Sequence, residues 1–158
     1  MAAIATVATL VYLAIQIRQN TDSVQTSSEL SLSHQMSDWA KEAINNPNIA
    51  KIWDTAASEP LSLDDDERIL YLWFVFQLFL IVEGHYQLYA KKRISERAWM
   101  AKAGAALGLI NNPLVAAWWD LKIAPFNPAF VDHINTLRST TGHDWEYRNI
   151  RELIREHT

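Results

Sequence analysis

The chain opens with a stretch that has no charged side chain, residues 2–17 (AAIATVATLVYLAIQI), and Arg18 follows it directly. As a helix this stretch is roughly 24 Å long at about 1.5 Å per residue, against about 30 Å for the hydrocarbon core of a bilayer. A surface helix of a soluble protein carries a polar stripe, whereas the polar side chains here are only Thr6, Thr9, Tyr12 and Gln16. The stretch therefore predicts a short membrane helix.

Three interpretations of this N-terminal stretch differ in what surrounds the helix. A cleavable signal peptide is disfavoured, because no positive side chain precedes the apolar run and bulky Ile15 and Ile17 stand where small residues are needed. A membrane anchor fits, and Arg18 on its C-terminal flank predicts a cytoplasmic position for the rest of the chain. The alternative that stays open is a helix buried in the core of a soluble bundle or of an oligomer.

Small residues on the predicted anchor indicate that two copies can associate through it. Ala5 and Thr9 lie one helical turn apart, and Ala8 extends this face. With Tyr12, these residues are the predicted membrane or oligomer contacts. The predicted partners are therefore the lipid bilayer and either a second copy of the chain or another membrane protein.

The composition favours an all-α chain. Only four glycines and five prolines interrupt long stretches of helix-forming residues among the 158 residues. The net charge of −4 argues against nucleic acid as a partner. The absence of cysteine excludes disulfides, thiol catalysis and zinc sites built on thiolates. We expect an anchor that continues into a long helix (1–46), a compact helical core domain (47–138) and a C-terminal amphipathic helix (139–158).

Residues 69–82 (ILYLWFVFQLFLIV) predict the central helix of this core domain. The run is shorter than the roughly 20 residues of a membrane span and is apolar around nearly its whole circumference. Ser62 is the predicted N-cap, the acidic residues 64–67 occupy the first turn, and the basic residues 91–93 end the helix, as the helix dipole favours. We expect Trp73 or another large residue of the run to be indispensable for folding.

Local signals also mark the neighbouring helices. Asn46 and Ser95 are predicted N-caps, with Pro47 in the first helical position after Asn46, and residues 111–113 (NNP) predict the start of a short helix. Helical spacing predicts a buried stripe in each of two helices. In the helix that follows Ser95 the stripe consists of Trp99, Met100, Ala103, Leu107 and Ile110. In the helix that follows the turn at residues 125–128 it consists of Phe130, Val131, Ile134 and Leu137.

Residues 11–21 (VYLAIQIRQNT) resemble the N-terminal hallmark of a family of uncharacterised bacterial proteins with one predicted N-terminal membrane helix. The resemblance continues further along the chain, where residues match those of the family at the same spacing. These residues are Glu83, Tyr86, Tyr89, Glu96, Trp99, Trp118, Trp119, Phe126, Pro128 and Phe130. This chain differs in a shorter start and in a more apolar central helix, which lacks the interior arginines. The resemblance implies an anchor, a helical domain and a bacterial inner-membrane location with a cytoplasmic C-terminal domain. It implies no chemistry.

Glu83 is the first candidate for a functional side chain. It follows the apolar run of the central helix, and Gln87 lies one turn further on the same face. A buried carboxylate needs a partner or a proton, so Glu83 with Tyr86, Gln87 and Tyr89 predicts a ligand site. The interpretation that we favour is structural, a carboxylate that joins helices by hydrogen bonds or reaches solvent.

Other constellations of reactive residues do not assemble in the sequence. No glutamate has a histidine three residues later, as di-iron bundles require, and the acidic run 64–67 lacks the alternating ligands and glycine of a calcium loop. His34 with Asp38 and the isolated His133 are interpreted as ordinary surface residues. No nucleophile elbow or phosphate loop is present. We therefore predict no catalytic residue, no metal and no cofactor.

Two hypotheses of function follow. The leading one is a membrane-anchored helical scaffold or interaction protein that self-associates and catalyses no reaction. The alternative is a small-ligand binder or an enzyme with an aromatic pocket that uses Glu83. A pocket protein should show a cavity into which Glu83 and a second polar group point, whereas a scaffold should show that face of the helix packed shut.

Overall fold

A computed structural model of the chain describes residues 2–140, without the side chains of residues 2–5 and 8. This part contains six α-helices, one 3-10 turn (Pro60–Ser62) and no strand, so the predicted all-α class is confirmed. Most of the predicted C-terminal helix, residues 141–158, lies outside the described residues. The helices are α1 (Ala2–Asn45), α2 (Pro47–Ser58), α3 (Asp65–Ala90), α4 (Glu96–Ile110), α5 (Pro113–Asp120) and α6 (Pro128–Thr140).

The chain separates into two compact units, and the division falls between His34 and Gln35, inside α1. The first unit consists of the N-terminal part of α1. The second unit contains the last turns of α1 and all the later helices. Trp39 belongs to this second unit, because its indole N–H donates to the carbonyl of Phe74 on α3 over 2.9 Å and its ring stacks on that of Phe74.

The helix starts follow the predicted capping chemistry with one exception. The side chain of Asn46 accepts from the N–H groups at the start of α2, and Ser95 does the same for α4. The cap of α3 is Asp64 and not the predicted Ser62. Asp64 forms a capping box with Glu67, whereas the hydroxyl of Ser62 donates to the carbonyl of Glu59, directly before the 3-10 turn. The acidic first turn therefore supplies the cap as well as the favourable charge.

Asn112 joins helices α2 and α5. Its Oδ1 accepts from the N–H groups of Leu114 and Val115 at the start of α5. Its Nδ2 donates to the carbonyl of Ala56 on α2 over 2.6 Å. Because Asn112 is buried, these bonds satisfy a polar side chain that would otherwise destabilise the core.

Helix α3 is the central helix of the second unit and contacts α2, α4 and α5. Its buried side includes Val75, Phe79 and Val82, which have no solvent exposure. On α4 the residues Ala103 and Gly104 are buried, and such small residues let two helices approach closely. The central position predicted for residues 69–82 agrees with this packing.

The opposite side of α3 is uncovered, which the apolar sequence did not predict. Trp73 is 61% exposed and is not part of the core, whereas Phe79, another large residue of the same run, is completely buried. Among the described residues, α3 is the one helix long and apolar enough to cross a membrane by length and composition, and 44% of its most apolar window is buried. An apolar composition with a half-covered circumference is the distinctive property of α3.

Candidate functional site

Glu83 lies on α3 and reaches the start of α6. Its Oε1 accepts a hydrogen bond from the backbone N–H of Asn127 over 2.6 Å. Asn127 itself precedes the first turn of α6, where its Oδ1 accepts from the N–H of Ala129. A carboxylate at this end of a helix also interacts favourably with the helix dipole. The geometry thus gives Glu83 the helix-joining contact of the structural interpretation.

Tyr86 and Tyr89 extend from the next turns of α3 into an aromatic cluster. We call this set the histidine cluster, and it consists of Tyr86, Tyr89, Trp99, Phe130 and His133. Trp99 of α4 is completely buried at its centre, and its ring stacks on that of Tyr89 at 5.7 Å. Tyr86 contacts the rings of Trp99, Phe130 and His133 at 5.6, 5.6 and 5.2 Å. The cluster joins α3, α4 and α6.

His133 is held in this cluster by a specific hydrogen bond. The indole N–H of Trp99 donates to Nε2 of His133 over 3.0 Å. An imidazole nitrogen that accepts has no proton, so this geometry requires a neutral ring with its proton on Nδ1. Burial lowers the pKa of His133 from its ordinary value of 6.5, because it disfavours the charged ring. Since Nε2 is already engaged by the indole, the arrangement is typical of a structural histidine.

The four predicted ligand residues are only partly brought together. Glu83 contacts the start of α6, and the two tyrosines lie in the histidine cluster. Gln87 is exposed, although it lies one turn from Glu83. These four side chains lie in different surroundings, so they do not form one ligand site.

Three cavities among the described residues are lined by other side chains. One of about 260 Å³ lies between α5 and α6, with Trp118, Trp119 and Phe126 in its wall and the charged Lys122 and Asp132 at its edge. Its volume is below the roughly 300–1,000 Å³ that ligand pockets occupy. The other two, of about 690 and 410 Å³, are open grooves on either side of Trp73. None of the three has Glu83, Tyr86, Gln87 or Tyr89 in its lining.

The predicted anchor contacts can be described only in part. The side chains of Ala5 and Ala8 lie outside the described part of the structure. Thr9 is exposed, and Tyr12 is 59% exposed, with its hydroxyl oxygen accepting from the amide of Gln16 over 2.6 Å. Within residues 2–140, no three histidine, aspartate or glutamate side chains come together to hold a metal ion.

Sequence reasoning missed the roles of His133 and Asn127. A signal for His133 was present, because it follows Phe130 by three residues and precedes Leu137 by four, on the stripe that faces the core. Asn127 stands directly before Pro128, the same pattern that identified Asn46 as a cap. That Glu83 of α3 is the partner of Asn127, and Trp99 of α4 the partner of His133, follows only from the tertiary structure.

Comparison with known proteins does not add a relative. No protein-family model matches the chain, and neither a curated protein nor a solved structure matches it. The resemblance of residues 11–21 to a family with an N-terminal membrane helix therefore stays a prediction.

Proposed function

We propose that this protein is a membrane-anchored helical interaction protein that self-associates and catalyses no reaction. In this proposal residues 2–17 lie in a bacterial inner membrane and the later helices lie on its cytoplasmic side. The partners are the lipid bilayer and either a second copy or another membrane protein, without nucleic acid or a cofactor.

The exposure of apolar side chains on the first unit carries the proposal. The large apolar residues of its N-terminal turns are between 46% and 67% exposed, and they are Val7, Leu10, Val11, Tyr12, Leu13, Ile15 and Ile17. Successive helical residues are rotated by about 100°, so these side chains point in all directions around the axis. Burying one Leu, Ile or Val side chain gains about 1.5–3 kcal/mol, and the hydrocarbon core of a bilayer covers every side of a single helix.

The charge that ends this surface supports an anchor with a cytoplasmic C-terminal part. Arg18 is exposed immediately after the apolar turns, and lysine and arginine beside a span are retained on the cytoplasmic side. The contacts of Glu83 and His133 support a non-catalytic role, because each group already bonds to another helix of the fold.

A pair of matched substitutions tests the anchor. Val11 and Val24 lie on the same helix and are 54% and 60% exposed, but only Val11 lies inside the apolar stretch. A lysine near the centre of a span costs about 2.5–3.5 kcal/mol. In the full chain, Val11→Lys should therefore move much of the protein from the carbonate-resistant membrane fraction into the soluble fraction, whereas Val24→Lys should not.

The same fractionation states what would contradict the proposal. If Val11→Lys and Val24→Lys both partition like the unmodified chain, residues 2–17 do not hold the protein in the membrane. Self-association is measured separately, as the mass of the full chain in mild detergent at several concentrations. A monomer at every concentration would remove self-association from the proposal and leave the anchor standing.

A further inference from the structure

One face of α3 carries large apolar side chains that are exposed. Leu70, Trp73 and Leu80 are 41%, 61% and 43% exposed, and the helical period places them on one side together with Gln77 and Gly84. We call these five residues the α3 stripe. Contiguous apolar side chains that a folded unit leaves exposed mark interaction sites.

Two grooves flank the α3 stripe and make Trp73 a ridge between them. The first, about 690 Å³, separates the stripe from the last turns of α1, with Trp39 and Glu42 in its far wall. The second, about 410 Å³, lies between Trp73 and the loop after α5, where Ile123 and Pro125 line it. A helix laid along the stripe would therefore meet walls on both sides.

The α3 stripe is complementary to itself when its direction is reversed. Trp73 and Gly84 lie at equal distances on either side of the point between Leu78 and Phe79, roughly 8 Å from it at about 1.5 Å per residue. Gln77 and Leu80 are related in the same way. If two copies of the stripe are related by a two-fold axis through that point, Trp73 of one copy lies over Gly84 of the other.

We propose that a second copy of this chain docks on the α3 stripe, with the two α3 helices antiparallel and related by a two-fold axis between residues 78 and 79. Trp73 then packs on Gly84 of the partner subunit, and Gln77 lies beside the partner's Leu80. A crossing angle near 20° keeps the helices within side-chain reach over several turns. This inference rests on the self-association in the proposed function and names the surface that performs it.

Charge favours a second copy in this direction over other occupants. The N-terminal end of α3 is acidic at residues 64–67, and basic residues 91–93 follow its C-terminal end. The antiparallel arrangement places Asp66 level with the partner's Lys91, roughly 19 Å from the axis, and both side chains are exposed. A parallel pair would bring like charges together, and an anionic lipid surface would repel the acidic end.

The polar residue of the stripe supports the same register. Gln77 is exposed in an otherwise apolar run, and in the dimer it lies next to the axis, roughly 5 Å along the helix from the partner's Gln77. A polar side chain near the middle of a helix interface selects one register at a cost in stability. The two amides can hydrogen-bond to each other only near this register.

Cysteine cross-linking tests the arrangement directly, because the chain has no cysteine of its own. In the full chain in mild detergent, Gln77→Cys and Leu80→Cys should each form disulfide-linked dimers on mild oxidation. Asp66→Cys should not link to itself, since its two copies would be roughly 38 Å apart, but should link when mixed with Lys91→Cys. Ala105→Cys, on an exposed position of α4, is the control and should remain monomeric.

Charge reversal at Asp66 and a larger side chain at Gly84 provide a second test of the arrangement. Asp66→Lys should weaken the dimer about tenfold, and combining it with Lys91→Asp should restore the affinity. Asp65→Lys is the matched control, since it changes the same helical turn on a different side. Gly84→Leu should abolish dimerisation while preserving the helix content by circular dichroism, because leucine is a better helix former than glycine.

Each result decides between the alternatives. Efficient linking of Asp66→Cys to itself would show a parallel pair and overturn the proposal. An oligomeric mass without links at Gln77→Cys and Leu80→Cys would overturn the α3 interface and leave the proposed self-association standing. A fluorophore on Leu80→Cys that is quenched by nitroxide-labelled lipids would show that lipid covers the stripe, which also contradicts the proposal.

Discussion

Phe79 provides the sharpest test of the core, because it lies on the covered side of α3 and has no solvent exposure. Its ring contacts those of Trp118, Trp119 and Phe126, with centroid distances of 5.6, 5.1 and 6.0 Å. Phe79→Ala removes all three aromatic contacts and leaves a cavity next to α5. Alanine is also a better helix former than phenylalanine, so any loss of stability comes from packing and not from the helix itself.

The expected loss follows from this burial. A fully buried phenylalanine contributes its transfer free energy, and the cavity left behind adds a further penalty, which together give about 3–5 kcal/mol for Phe→Ala. We expect about 4 kcal/mol, since three ring neighbours are lost. Typical domains have a total stability of about 5–15 kcal/mol, so the variant should be close to unfolding at 37 °C.

The matched control is Trp73→Ala on the same helix. Trp73 is larger than Phe79 but is 61% exposed, so the free energy of unfolding of the monomer should fall by about 1 kcal/mol or less. The assay is urea denaturation of the full chain in mild detergent, with unfolding monitored by tryptophan fluorescence and far-UV circular dichroism. The measurement is made at a protein concentration at which the chain is monomeric, so that the free energy of unfolding does not include a contribution from self-association.

The comparison of the two variants can refute the reasoning. Phe79→Ala should lower the midpoint urea concentration with little change in slope. A loss below about 1 kcal/mol for Phe79→Ala, or an equal loss for Trp73→Ala, would contradict the burial of one side of α3. In that event α3 would not be the central helix of the second unit.

Two further predictions concern the polar contacts of α6. Glu83→Gln retains an oxygen that accepts from the N–H of Asn127 but loses the charge. The free energy of unfolding measured in urea should therefore fall by about 0.5–1 kcal/mol for Glu83→Gln and by about 1–3 kcal/mol for Glu83→Ala. A stable Glu83→Gln protein that loses a co-purifying small molecule would instead favour the ligand-binding alternative. Because burial lowers the pKa of His133 below 6.5, the neutral ring stabilises the fold fully above pH 6.5, and this stabilisation should decrease as the pH falls from 6.5 to the lowered value. In His133→Gln, whose side chain does not titrate, this part of the pH dependence should disappear, and an unchanged profile would show that His133 does not cause it.

Much of the fold could be read from local sequence patterns. The caps at Asn46 and Ser95 and the helix start at residues 111–113 were predicted correctly, because a side chain that bonds within three residues needs no information from the rest of the chain. The buried positions of Phe130 and Ile134 followed from helical spacing for the same reason. Ser62 was mistaken for the cap of α3, because Asp64 offers an equally good capping side chain two residues later.

Tertiary structure alone decided which side of α3 is covered and which helices its polar groups meet. In a run that is apolar on all sides, periodicity does not distinguish Trp73 from Phe79, so the packing of the neighbouring helices determines which is buried. Glu83 bonds to a backbone N–H that lies 44 residues away in the chain, and Trp99 to a histidine 34 residues away. The sequence determined where each helix begins and which residues favour burial, since these depend on neighbours within a few turns. The faces that meet, and the face of α3 left open, depend on how all the helices share one core.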